Sequence, residues 1–188
     1  MNTEERCSLT IGDAPCEVVS LDGFEAISEL FRFEARCVRP ALSKGPTELI
    51  GERAVITLRD GHGRERHITG LVAEAEVGIH DNDLSLLTVV VRPLVYPISL
   101  GRDCYVLHDV TVVDVIKDVL FDFQGPVRYE TTRLYPKRDF CAQYREDDWT
   151  FLDRLLEEEG VCYWFDHQEG SAIVFTDHTS SSPEIPGG

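Results

Sequence analysis

Apolar and polar residues alternate through much of the first hundred positions. Phe31-Arg32-Phe33-Glu34-Ala35-Arg36-Cys37 changes character at every step, the period of a half-buried strand. Cys7 to Ile11, Cys16 to Leu21 and Ala54 to Leu58 read as further strands. The last runs into Asp60-Gly61-His62-Gly63, where glycine supplies the positive φ that a hairpin needs. His67 to Val77 returns as a long strand, and Gly70 marks a bend or bulge in it. Asp81-Asn82-Asp83 is the next turn, and Leu84 to Arg92 is the most β-rich run. Short strands joined by short turns predict a small antiparallel β-barrel over residues 1–103.

The period changes near residue 104. Val112, Val115, Ile116, Val119 and Leu120 form a helical stripe over 111–122, with Thr111 and Asp114 spaced as a capping box and Val110 and Val115 as a staple. Gly125-Pro126 is expected to stop that helix. A second helix, over 148–159, carries Trp149, Leu152, Leu155 and Leu156 on one face and ends at Gly160. Its leucines are expected to pack against the strand Phe140 to Arg145, which contains Gln143. Val161 to Phe165 and Ala172 to Thr176 read as a hairpin. The fold class is therefore mainly β with α+β: a barrel, then an α+β domain with two helices and a β-hairpin over 104–178, then a polar linker over 179–188.

Charge narrows the partners. Thirty-four Asp and Glu against 18 Lys and Arg leave a net charge of −16, which repels phosphate backbones, so no nucleic acid is expected. No apolar run approaches the roughly 20 residues of a membrane span, so no stable membrane insertion is expected. Met1 to Arg6 is polar and acidic, unlike a signal peptide. The six cysteines include no C-x-x-C pair and are expected to be free thiols in a reducing cytoplasm.

Chemistry is thinly represented. G-x-S-x-G, P-loop, G-x-G-x-x-G and H-E-x-x-H motifs are absent. His62 and His67 flank one hairpin, but a closed metal site needs further ligands. Glu157-Glu158-Glu159 reads as a solvated helix end, and Asp147-Asp148 as a helix start. No catalytic, cofactor-binding or metal residue is assigned.

The run from Asp139 to Gly160 adds more. Gln143, Tyr144, Arg145, Asp148, Phe151, Arg154, Leu155, Glu158 and Gly160 lie in a block that resembles the pattern Q-Y-x-E-x-D-x-x-F-x-x-R-L-x-E-E-x-G of VgrG proteins, the spike subunits of type VI secretion systems. Leu21 to Phe33 resembles that family's opening G-x-E-x-L-S-x-x-F-x-F. Leu49 to Leu58, His67 to Val72 and Val91 to Leu94 resemble its next segments, in family order.

The resemblance implies a phage-tail-hub-like fold and a structural part, not an enzyme and without cofactors. The implied role is a hub subunit that adapts an Hcp-like tube to a trimeric spike, with two similar barrels per chain. Its implied partners are the tube protein, other spike subunits in a homotrimer, and effectors. It would reside in the bacterial cytoplasm before assembly and be delivered outside the cell on firing. Enzymatic activity in such proteins comes from added C-terminal domains or cargo. Family members continue well beyond the point matched by Gly188, so a truncation, a partial gene or a short adaptor is expected. The alternatives are a phage or prophage baseplate hub, an effector-loading adaptor and a small hydrolase using histidine and carboxylates.

Overall fold

The computed structural model describes residues 6–40, 45–79 and 84–178. The expected turn at Asp81-Asn82-Asp83 and the linker over 179–188 lie outside the described residues. The chain divides into two compact units. The first holds residues 1–26, 30–94 and 166–171, and the second 27–29, 95–165 and 172–188.

The first unit contains β1 (Cys7–Ile11), β2 (Ala14–Phe24), β3 (Arg32–Pro40), a one-turn helix α1 (Pro46–Leu49), β4 (Arg53–Arg59), β5 (Glu65–Ile79) and β6 (Leu84–Arg92). The strands close into a barrel in the order β1-β2-β3-β6-β5-β4, every pair antiparallel. Closure removes the free edges that an open sheet would present. Period-two patterning fills the interior. Phe33, Ala35 and Cys37 of β3 are buried, beside Leu9, Val18, Ala54, Ile56, Ile68, Leu87, Val89 and Val91. The fold class read from the sequence is borne out.

Two details differ from the sequence reading. The register slip in β5 falls between Val72 and Glu74, not at Gly70. Gly70 is instead a point of close approach, where a Cβ would collide with the Arg92 carbonyl oxygen. The Asp60–Gly63 turn forms as expected, with Gly63 at φ 81. Asp60 Oδ1 accepts the N–H groups of His62 and Arg64.

The second unit contains β7 (Asp103–Leu107), α2 (Val112–Val119), β8 (Val127–Glu130), β9 (Cys141–Glu146), α3 (Asp148–Glu159), β10 (Cys162–Asp166) and β11 (Ala172–Thr176). β7 pairs with β9, and β8 joins β11 in parallel within a β10-β11-β8 sheet. The Thr111–Asp114 capping box is present. α2 ends at Leu120, short of Gly125-Pro126, because its apolar stripe runs out there and Phe121 points into solvent. Trp149, Phe151, Leu152, Leu155 and Leu156 of α3 are all buried.

Candidate functional site

The block from Gln143 to Gly160 builds one strand–turn–helix corner. Gln143 lies on β9, buried, and its Nε2 donates to the Glu146 carbonyl and to Asp148 Oδ1, each at 2.8 Å. Asp147 is the N-cap of α3: its carboxylate accepts from the Thr150 N–H at 2.8 Å and from the Thr150 hydroxyl at 2.6 Å. The two adjacent aspartates thus divide the work, Asp147 capping the helix and Asp148 receiving the buried amide.

Below this corner, Phe151 is buried edge-on against Tyr105, with centroids 5.6 Å apart. Trp149 donates its indole N–H to the Tyr163 hydroxyl at 3.2 Å. Arg154 bridges helix and strand, bonding Glu146 at 2.7 Å while its guanidinium lies over the Phe151 ring. Leu155 is buried and Gly160 takes the left-handed conformation, φ 64, that ends the helix.

The glutamates at that end are not merely solvated. Arg138 reaches Glu158 at 2.7 Å and Glu159 at 2.6 Å, and Arg133 donates to the carbonyls of Glu159 and Gly160. These cations offset the negative end of the helix dipole. Tyr144 and Arg145 face outward. Arg145 has φ 53 and is the extra residue of a bulge, since Cys104 pairs with Tyr144 while Asp103 pairs with Glu146.

A second anchor was not anticipated. Asp177, just after β11, accepts from the backbone N–H groups of Thr132 and Arg133 and from the Tyr135 hydroxyl. Burial raises its pKa, but those donors outweigh burial and hold the carboxyl well below the usual range.

The hydrolase alternative has one place to be judged. His167 Nδ1 lies 2.7 Å from Ser171 Oγ, and His167 Nε2 lies 2.9 Å from Glu25. The connectivity is that of a nucleophile, base and orienting carboxylate. Yet Ser171 is buried, and its Oγ already accepts the Thr69 N–H at 2.9 Å. Arg66 also donates to Glu25. Burial works to raise the Glu25 pKa, but bonds from His167 and Arg66 prevail and lower it to about 2. A hydroxyl covered and bonded in this way anchors a loop; it is not presented for attack on a substrate.

Among the described residues, no three His, Cys, Asp or Glu side chains are grouped to hold a metal ion. His67 is engaged with Thr57 at 3.0 Å. Among the described residues no disulfide joins the cysteines: Cys7, Cys16, Cys37 and Cys141 are buried, Cys162 is half-buried and Cys104 is exposed. Among the described residues, no helix is long and apolar enough to cross a membrane.

Comparison with known proteins places this architecture. The type VI secretion system spike protein VgrG1b of Pseudomonas aeruginosa is 27% identical over 183 residues, 96% of this chain and 25% of that protein. The chain therefore spans about a quarter of that relative's length. An E. coli protein described as a component of the type VI secretion system, similar to bacteriophage T4 tail proteins, shares the fold with a TM-score of 0.84 at 22% identity, over 94% of this chain and 50% of that one. A tail protein from Neisseria meningitidis shares it at 0.66 and 17% identity, over 96% and 52%. The family model for the phage tail baseplate hub (GPD) matches residues 24–188, and this chain belongs to that family.

Proposed function

We propose that this chain is a structural hub subunit of a contractile injection apparatus, of the type VI secretion kind. In that role its barrel is the first hub barrel, seated on a tube of Hcp-like rings, and the chain links the tube to a trimeric spike. It acts by shape and contact and not by catalysis. The observation that supports this reading best is a closed six-stranded barrel within a chain of the baseplate hub family. Supporting it further, the Gln143–Gly160 side chains that face inward are engaged in packing, caps and ion pairs. We assign them a structural role, which is to hold the β9–α3 corner. Effectors carried on the assembled spike are further partners in this reading, and the subunit would leave the cell with the spike on firing.

The test is reconstitution. The chain is mixed with preformed tubes of an Hcp-like protein, and the mixture is imaged by electron microscopy. Density capping one end of the tube is the expected result. Tubes with both ends bare, at saturating chain, would overturn the proposal.

A further inference from the structure

β8 and β11 run side by side as far as the Glu130–Thr176 rung. Beyond it the pairing passes from backbone to side chain, because Asp177 reaches across with its carboxylate. Oδ1 accepts the Thr132 N–H at 3.0 Å and the Thr132 hydroxyl at 3.1 Å. Oδ2 accepts the Arg133 N–H at 2.8 Å and the Tyr135 hydroxyl at 2.8 Å. The Arg133 guanidinium stands 3.5 Å from that same oxygen, and the Asp177 side chain is 0% exposed.

The loop has the build of a receptor. Successive N–H groups of an extended strand point to opposite sides, whereas those of Thr132 and Arg133 converge on one carboxylate. Concavities of this kind bind anions. The Arg133 guanidinium is fixed from behind, donating to the Glu159 and Gly160 carbonyls and lying over the Tyr135 ring, 5.4 Å from the centroid. Burial, and then the bond to Asp177, push the Tyr135 phenol up to about 12, so it stays a donor at neutral pH. A site of donors selects a flat, charged oxyanion, since an amide of the same shape would turn its own NH2 toward them. Leu134 lies between Arg133 and Tyr135 in the chain and is fully exposed.

We propose that residues 132–135 form a carboxylate receptor with Asp177 as its tethered ligand, and that the pair is a latch. Closed, it holds two things in one arrangement: the loop tip that carries Leu134, and the path of the chain out of β11. Open, it releases both, and the vacated cradle accepts a free carboxylate the size of formate. The tether keeps the latch closed at neutral pH, because a ligand joined to its site meets it at a far higher effective concentration than a free one. Ordering the loop in advance also lowers the entropic cost of any contact made through Leu134.

The test is amide hydrogen exchange of the 188-residue chain, read by mass spectrometry over residues 131–138 and 172–178. Asp177→Ala keeps the Cβ and removes the carboxylate. Exchange in both segments should quicken about tenfold, beyond any change in the rest of the chain. Formate, the missing group, should restore protection over 131–138 saturably, at roughly 10–100 mM because it lacks the tether. Sodium chloride at equal ionic strength should not. Asp177→Asn should lose protection too, and formate should not restore it, because the amide fills the cradle. Adding Thr132→Val and Tyr135→Phe to Asp177→Ala should abolish the rescue. Should Asp177→Ala fail to fold, Tyr135→Phe alone removes one donor and leaves the carboxylate, and exchange over 131–138 should quicken about threefold. Wild-type protection in Asp177→Asn or Tyr135→Phe, rescue by chloride as good as by formate, or no rescue by formate would each overturn the proposal.

Discussion

Gln143 and Asp148 meet across the turn that joins β9 to α3, the amide Nε2 of one donating to the carboxylate of the other at 2.8 Å. Because the same amide nitrogen also serves the Glu146 carbonyl, one buried side chain satisfies both the turn and the first residue of the helix. Replacing it tests that economy. Gln143→Ala should cost about 1–3 kcal/mol, the usual penalty for stranding buried polar partners. Gln143→Glu should cost more, since a carboxylate there would face the Glu146 carbonyl and the Asp148 carboxylate with nothing to donate. Urea unfolding at pH 7 and pH 4 measures both. The gap between the two variants should narrow in acid as the new glutamate protonates, and a gap independent of pH would argue against this geometry.

Leu155 lies 1% exposed on the buried face of α3, together with Leu152 and Leu156. Leu155→Ala should destabilise the protein by about 2–5 kcal/mol, through lost transfer energy and the cavity left behind. Denaturant midpoints give the value directly. A loss under about 0.5 kcal/mol would place the residue at a tolerant surface position.

Much of this architecture could be read from local pattern. The period-two run at 31–37 placed alternate β3 residues inside the barrel, and Thr111 and Asp114 announced the start of α2. Features set by distant partners could not be read that way. β8 is four residues long and pairs in parallel with β11, more than forty positions later, so neither strand advertises the other. Asp177 draws its donors from Thr132, Arg133 and Tyr135, and no local motif marks it. Glu25, Arg66 and His167 come from three separate segments, each unremarkable by itself. At the site, the inward half of the Gln143–Gly160 block carried a helical period that sequence reasoning could use. The outward turn of Tyr144 and Arg145 depended on a one-residue bulge that no periodicity foretells.

Glu25 should make acid stability measurable. Its pKa falls from an ordinary 4.5 to about 2 in the folded chain: burial opposes the change, and the bonds from His167 and Arg66 overcome it. Between those values the unfolded chain holds a proton that the folded chain does not, so stability rises with pH there. The contribution is fully present above about pH 4.5 and is lost as pH falls through about 2. Other depressed carboxylates, such as Asp60, Asp114 and Asp177, contribute to the same slope, so the difference between wild type and Glu25→Gln isolates this one. That difference should be constant above pH 5 and shrink steadily below pH 4. A difference independent of pH down to 2 would show that Glu25 titrates alike in both states.

Assembly offers the last prediction. The ring implied by the family resemblance takes two barrels from each of three chains, and the described residues of this chain close one. A ring built from three copies of these 188 residues alone would hold three barrels in place of six and lack about half its lateral contacts. Charge works in the same direction. Each chain carries −16, so like copies repel, and most strongly where salt is low. At about 0.15 M salt the screening length is about 8 Å, which weakens this repulsion without supplying any attraction. The chain should therefore be mostly monomeric at micromolar concentration, with weak association emerging only as salt rises. Sedimentation equilibrium across a salt series measures this directly. A stable trimer at low salt would mean that one barrel and its α+β partner carry a complete assembly interface, strong enough to overcome the charge.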